Sequence, residues 1–167
     1  MKKLLPLLTL AFLSCSIDFN TSVYKQETYD RVYPDPLLTK GSVFENLSVE
    51  TLCSKDYTRQ ARKVPSSLKA EVYKRYGIEK TANLVIDHFV NLGIGGDNKI
   101  ENLWPQPIRQ SQGLGSRQKD EVENYLRKKI CSGMISISDA QDLVKTDWAK
   151  VYRKIKADQN PDSEDED

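Results

Sequence analysis

Two short apolar runs either side of a glycine-rich loop constrain this chain more than any other feature. The first, Leu84-Val85-Ile86-Asp87-His88-Phe89-Val90, is rich in β-branched residues and reads as a strand. Gly93-Ile94-Gly95-Gly96-Asp97-Asn98 reads as a loop, with Gly95 and Gly96 turning the chain because glycine permits positive φ. Asn102-Leu103-Trp104 reads as a short return strand that Pro105 and Pro107 end. The segments around this pair carry helical signals. Pro65-Ser66-Ser67 offers a capping serine to a helix over 68–77, and Gly77 stops it. A second helix is expected over 118–130, with Val122, Leu126, Lys129 and Ile130 on one face and Gly133 as its stop. Ser138-Asp139-Ala140-Gln141 reads as a capping box opening a last helix. Its apolar stripe is Ala140, Leu143, Val144, Trp148, Val151 and Ile155. The order helix, strand, loop, strand, helix, helix predicts a small α+β domain, with Trp104 and Trp148 in its core.

The 167 residues suit one domain with appendages. Residues 1–15 read as a signal peptide: Lys2 and Lys3 precede an apolar run, 4–13, too short to span a bilayer. Cys15 stands where a bacterial lipoprotein signal places its lipid-accepting cysteine. Lipidation of Cys15 and simple cleavage nearby are both open. Either way the chain is expected to be exported: periplasmic, membrane-tethered as a lipoprotein, or secreted, touching a membrane only through an N-terminal lipid. Residues 16–51, mixed Asn, Thr, Ser, Tyr and Pro without a period, read as a tether with a turn near Pro34 to Pro36. The domain is expected over 52–157, and 158–167 read as an acidic disordered tail. The net charge of +1 hides an asymmetry. Residues 52–157 hold 20 Lys/Arg against 12 Asp/Glu, a balance of +8, while 158–167 hold six acidic groups and no basic one. A basic body is what a nucleic-acid binder needs, although a solvated lysine-rich surface has the same composition. Beyond Cys15 two cysteines are left. In an oxidising compartment Cys53 and Cys131 read as a disulfide, worth about 4 kcal/mol in the chain-entropy model. Two buried free thiols are the alternative. A zinc site is disfavoured, since two distant cysteines and one histidine do not make a tetrahedral set.

The chain has one histidine, His88, directly after Asp87 on the first strand. Alternation sends the two side chains to opposite sides, though a twist or bulge can turn both toward one cleft. A neutral imidazole can take a proton from water, and a carboxylate is a hard ligand for Mg²⁺ or Mn²⁺. Together they suit phosphodiester hydrolysis. The stretch from Ile86 through Asp87, His88, Leu92, Gly95, Gly96, Asn102, Leu103, Trp104 and Pro105 resembles the HNH endonuclease family, with its ββα-metal fold. More specifically it resembles a group of bacterial and phage proteins with a DH…GG…NLWP core. Lys119-Asp120-Glu121-Val122-Glu123, Cys131-Ser132-Gly133, Ala140-Gln141 and Asp147-Trp148 with Tyr152 extend the likeness. So do Cys53, Tyr57-Thr58-Arg59 and Arg62 upstream. It covers about residues 52–152.

The resemblance implies a metal-dependent endonuclease acting on DNA, or also on RNA. His88 would be the general base, Asp87 a metal ligand, and Asn102 the brace of the loop between the strands. The chain departs from the family at the third ligand, a His or Asn on the helix. Ser116 stands three before Lys119, where that ligand is expected. Asp120, Glu123 or Gln112 would have to replace it. Arg59, Arg62, Lys63, Lys69 and Lys119 are candidates for phosphate contacts. Two rival readings keep the fold and drop the chemistry: a module that binds nucleic acid without cutting it, and a structural lipoprotein.

Overall fold

The structure, a computed structural model, describes residues 29–160. The segment read as a signal peptide, with Cys15, the first part of 16–51 and residues 161–167 lie outside the described residues. The chain runs α1 (Val49–Cys53), α2 (Tyr57–Ala61), α3 (Ser66–Tyr76), β1 (Leu84–His88), β2 (Leu103–Pro107), α4 (Ser116–Cys131) and α5 (Ile137–Gln159). One-turn 3₁₀ helices, Leu92–Ile94 and Ile100–Asn102, lie in the loop between the strands. The fold is α+β: a two-stranded antiparallel ribbon among helices.

In the ribbon, Leu84 lies opposite Pro107 and His88 opposite Leu103. Of the two prolines expected to end β2, Pro105 lies inside it and Pro107 is its last residue. Bonds from Phe89 N to Asn102 O (2.7 Å) and from Ile108 N to Asn83 O (2.8 Å) set the ladder's alternation. That alternation turns the nitrogens of Pro105 and Pro107 away from β1, so no ladder bond is lost. α3 stops at Gly77 in the left-handed region as expected, but its first turn is capped by Pro65 with no side-chain bond. α4 begins at Ser116, where Gln118 Oε1 accepts from Gly115 N at 3.1 Å. α5 opens at Ser136 rather than Ser138, through a box in which Ser136 Oγ accepts from Asp139 N and Asp139 Oδ2 accepts from Ser136 N. Its backbone breaks at Asp147 (φ −166°, ψ 82°), where Oδ1 accepts from Lys150 N at 2.8 Å and so caps the helix's second half.

α4 buries Val122, Leu126 and Ile130 against Ala140, Val144, Trp148 and Ile155 of α5, with Leu52, Ile94 and Trp104 in the same core. Each Val, Leu or Ile among them contributes roughly 1.5–3 kcal/mol over its exposed state. Leu143, expected in the stripe, is 43% exposed. A disulfide joins Cys53 to Cys131 and ties the end of α1 to the end of α4 (Cα–Cα 5.7 Å). No described helix is long and apolar enough to cross a membrane.

The segment read as a tether is, from Tyr29 on, part of the domain. Trp148 Nε1 donates to Val32 O (3.2 Å) and Tyr33 OH to Asp147 Oδ1 (2.5 Å). Thr39, fully buried, donates to Leu103 O (2.9 Å), and Val43 bridges Gly96. The segment supplies polar partners that the ribbon and loop would otherwise lack, so its polar composition serves packing rather than solvation.

Candidate functional site

The loop between the strands is a rigid frame. Asn102 is fully buried and clamps both ends of it: Oδ1 accepts from Val90 N (2.8 Å), and Nδ2 donates to Val90 O (2.9 Å) and Asp97 O (2.8 Å). A Cβ on Gly96 would stand 1.7 Å from Val90 O, so only a hydrogen fits there. Gly95 does turn the chain at φ +91°. The N-terminal segment supports the loop from outside, with Phe44 N donating to Gly95 O (2.9 Å) and Ser42 Oγ to Asp97 Oδ1 (2.6 Å). Held this way, the loop sets Asn98 beside His88.

His88 is 1% exposed. Its Nε2 lies 3.2 Å from Asn98 Oδ1, which also accepts from Lys63 N (3.1 Å), while Asn98 Nδ2 donates to Ala61 O (2.8 Å). Because Oδ1 can only accept, the His88 proton sits on Nε2. The unprotonated Nδ1 is buried and has no partner. Burial holds the ring's pKa below the ordinary histidine value, against the pull of Asp87 and Asn98. The imidazole is therefore neutral near pH 7, with one free lone pair. Arg62, exposed at the end of α2, lies near enough for its charge to act on His88 and on Asp120.

Asp87 is part of a second cluster. Lys119, fully buried on α4, donates to Asp87 Oδ2 (3.2 Å), to the backbone oxygen of His88 (2.7 Å) and to Glu123 Oε1 one turn along. Those are all three ammonium protons. Glu123 Oε2 accepts from Asn91 Nδ2 at 2.5 Å. Burial by itself pulls the Lys119 ammonium toward neutrality, but Glu123 and Asp87 outweigh it and its pKa is raised. Burial also pushes the Glu123 carboxyl up, against the pull of Lys119. Two carboxylates face one ammonium, so the lysine is the member that stays charged. Asp120 is exposed, and its carboxyl is pushed up by partial burial and then by the Asp87 charge.

Several expected roles change with this geometry. Lys119 cannot touch a phosphate, because it is inside the protein. Glu123 points inward to Lys119 and Asn91, not toward an open cation site. Asp87, Asp120 and Glu123 do not form a metal set: among the described residues no three His, Cys, Asp or Glu side chains are gathered to hold one. The Asp87 and Glu123 oxygens that face each other are taken by the Lys119 ammonium, so between them they offer no open place to the expected Mg²⁺ or Mn²⁺. Arg59 is exposed and paired with Asp56 (3.2 Å). Asn102 braces the loop through its own hydrogen bonds. Asn91 and Asn98 were not singled out from the sequence. Both lie beside the loop glycines, where a short amide reads as a turn residue. A scan of protein-family models, a search of curated proteins and a search of solved structures each find no match to this chain.

Proposed function

We propose that this site hydrolyses phosphodiester bonds in nucleic acid, with DNA as the first substrate and RNA as the alternative. The observation that carries the reading is the orphaned Nδ1 of His88, a buried lone pair whose tautomer is set by Asn98. A buried acceptor without a partner costs about 1–3 kcal/mol, and a catalytic role is one reason for a protein to keep one. Nδ1 takes a proton from water, the water oxygen attacks phosphorus, and the phosphorus–oxygen bond to the leaving sugar breaks. That sugar oxygen takes its proton from solvent. Arg62 supplies positive charge to the phosphate, and Asn102 acts as a positioning residue for the loop. The basic body supports a polyanionic substrate. The Cys53–Cys131 bond supports maturation in an oxidising compartment, hence export. The expected divalent metal forms no part of this reading.

The test is incubation of the purified protein with plasmid DNA beside a His88→Ala variant. The parent should nick the plasmid, and the variant should be about 10²–10⁴-fold slower. Failure of the parent to cut, with or without Mg²⁺ or Mn²⁺, would remove the reading. A second reading, a module that binds nucleic acid without cutting, is favoured by the 1% exposure of His88. It expects salt-sensitive DNA binding and no nicks.

A further inference from the structure

We propose that the Lys119 ammonium is the resident cation of this site, standing between Asp87 and Glu123 in place of a divalent metal. The functional part of this inference rests on the hydrolytic reading above. The assignment of the cation rests on the cage alone.

The cage is made of oxygen: one carboxylate oxygen from Asp87, one from Glu123 and the backbone oxygen of His88. These are hard donors of the kind that hold Mg²⁺ or Mn²⁺. The ammonium fills the cage from within, since Lys119 is 0% exposed and each of its protons already has an acceptor. Its placement follows from the helix. Lys119 and Glu123 are four apart on α4 and share the face turned to β1. Asn91 holds the far oxygen of Glu123, so the carboxylate cannot swing out toward solvent. A metal ion could enter only by expelling a paired buried charge, which leaves that charge without a partner and is strongly unfavourable.

A lysine in this place performs one task of a metal and not another. It neutralises Asp87 and holds the His88 carbonyl, which fixes the backbone that aims the imidazole. It offers no open coordination position, so it cannot touch the phosphate. Lys119 is thus a positioning residue, and the charge that meets the substrate comes from Arg62 outside the cage. Activity at this site should not require a divalent ion and should persist in a chelator.

The experiment has a readout apart from activity. In a ¹H–¹⁵N spectrum of the side-chain ammonium groups, the buried Lys119 signal is identified by its loss in Lys119→Met. We expect millimolar Mn²⁺ to leave that signal unbroadened in the parent. Paramagnetic resonance should detect no tightly held Mn²⁺ in the parent and one bound ion in Lys119→Ala, lost again when Glu123→Gln is added. Broadening of the parent signal would overturn the proposal. So would a parent Mn²⁺ site that Asp87→Asn removes, or a folded Lys119→Ala that gains no site. If Lys119→Ala does not fold, the parent spectrum decides. Failure of the hydrolytic reading would show separately, as a parent that cuts no plasmid in chelator or in metal while these spectra stay as expected.

Discussion

At the scale of single residues, the site consists of one uncharged base and one buried charge, and each has a thermodynamic signature. The pKa of His88 is held below 6.5 by burial. Below pH 6.5 the unfolded chain binds a proton that the folded ring resists. Stability from this group is therefore complete above pH 6.5 and is lost as pH falls toward the folded pKa. Urea denaturation on either side of pH 6.5 should show the loss, and His88→Gln should remove that share of the slope. Equal slopes in parent and variant would mean that the ring is not buried neutral. Lys119 gives a larger effect. Lys119→Met leaves Asp87 and Glu123 facing each other without a cation. Breaking a buried pair this way typically costs about 3–5 kcal/mol. Adding Glu123→Gln should recover part of the loss, read as a rise in the urea midpoint.

At the scale of elements, the loop between β1 and β2 is the part that aims the site. Asn102 and Gly96 hold it from inside. Gly96→Ala drives a methyl group into the Val90 carbonyl. The loop must then shift, Asn98 leaves His88, and plasmid nicking should fall along with a stability loss of about 1–3 kcal/mol. Unchanged nicking would show that loop position does not aim the imidazole. The ribbon, α3, α4 and α5 were legible in the sequence because their signals are local: a β-branched run, a glycine stop, an apolar stripe with period 3.6. The five-residue α1 and α2 were not, being too short to show a period. The bracing place of Asn102 was legible through the family resemblance. The interior place of Lys119 was not, because lysine is almost always exposed and its spacing to Glu123 also fits a solvated pair. The place of Pro105 inside β2 was not legible, because ladder phase depends on the partner strand, which sequence does not show. Residues 29–48 read as a tether because their partners lie far along the chain.

At the scale of the whole molecule, the Cys53–Cys131 bond and the basic body make separate predictions. Reduction should lower stability by about 2–5 kcal/mol. It should also loosen the end of α1, which is then held by Leu52 in the core and by Arg127, donating to Leu52 O (2.8 Å) and Ser54 O (3.4 Å). Thiol labelling of unfolded, unreduced protein should find neither cysteine free. DNA binding should weaken steeply with salt, because phosphate contacts release condensed counterions. A flat salt dependence would count against a nucleic-acid partner. The strap formed by Val32 and Tyr33 has a further consequence, for the order in which the molecule is finished. Its anchors on Trp148 and Asp147 lie 116 and 114 residues downstream. A chain emerging from its amino end cannot close this seam until almost the entire domain has followed. Contacts of such long separation form slowly. The strap's seam on the last helix is therefore among the final contacts of the domain to close, after the bonds of Thr39 to Tyr76 and Leu103 can already have formed.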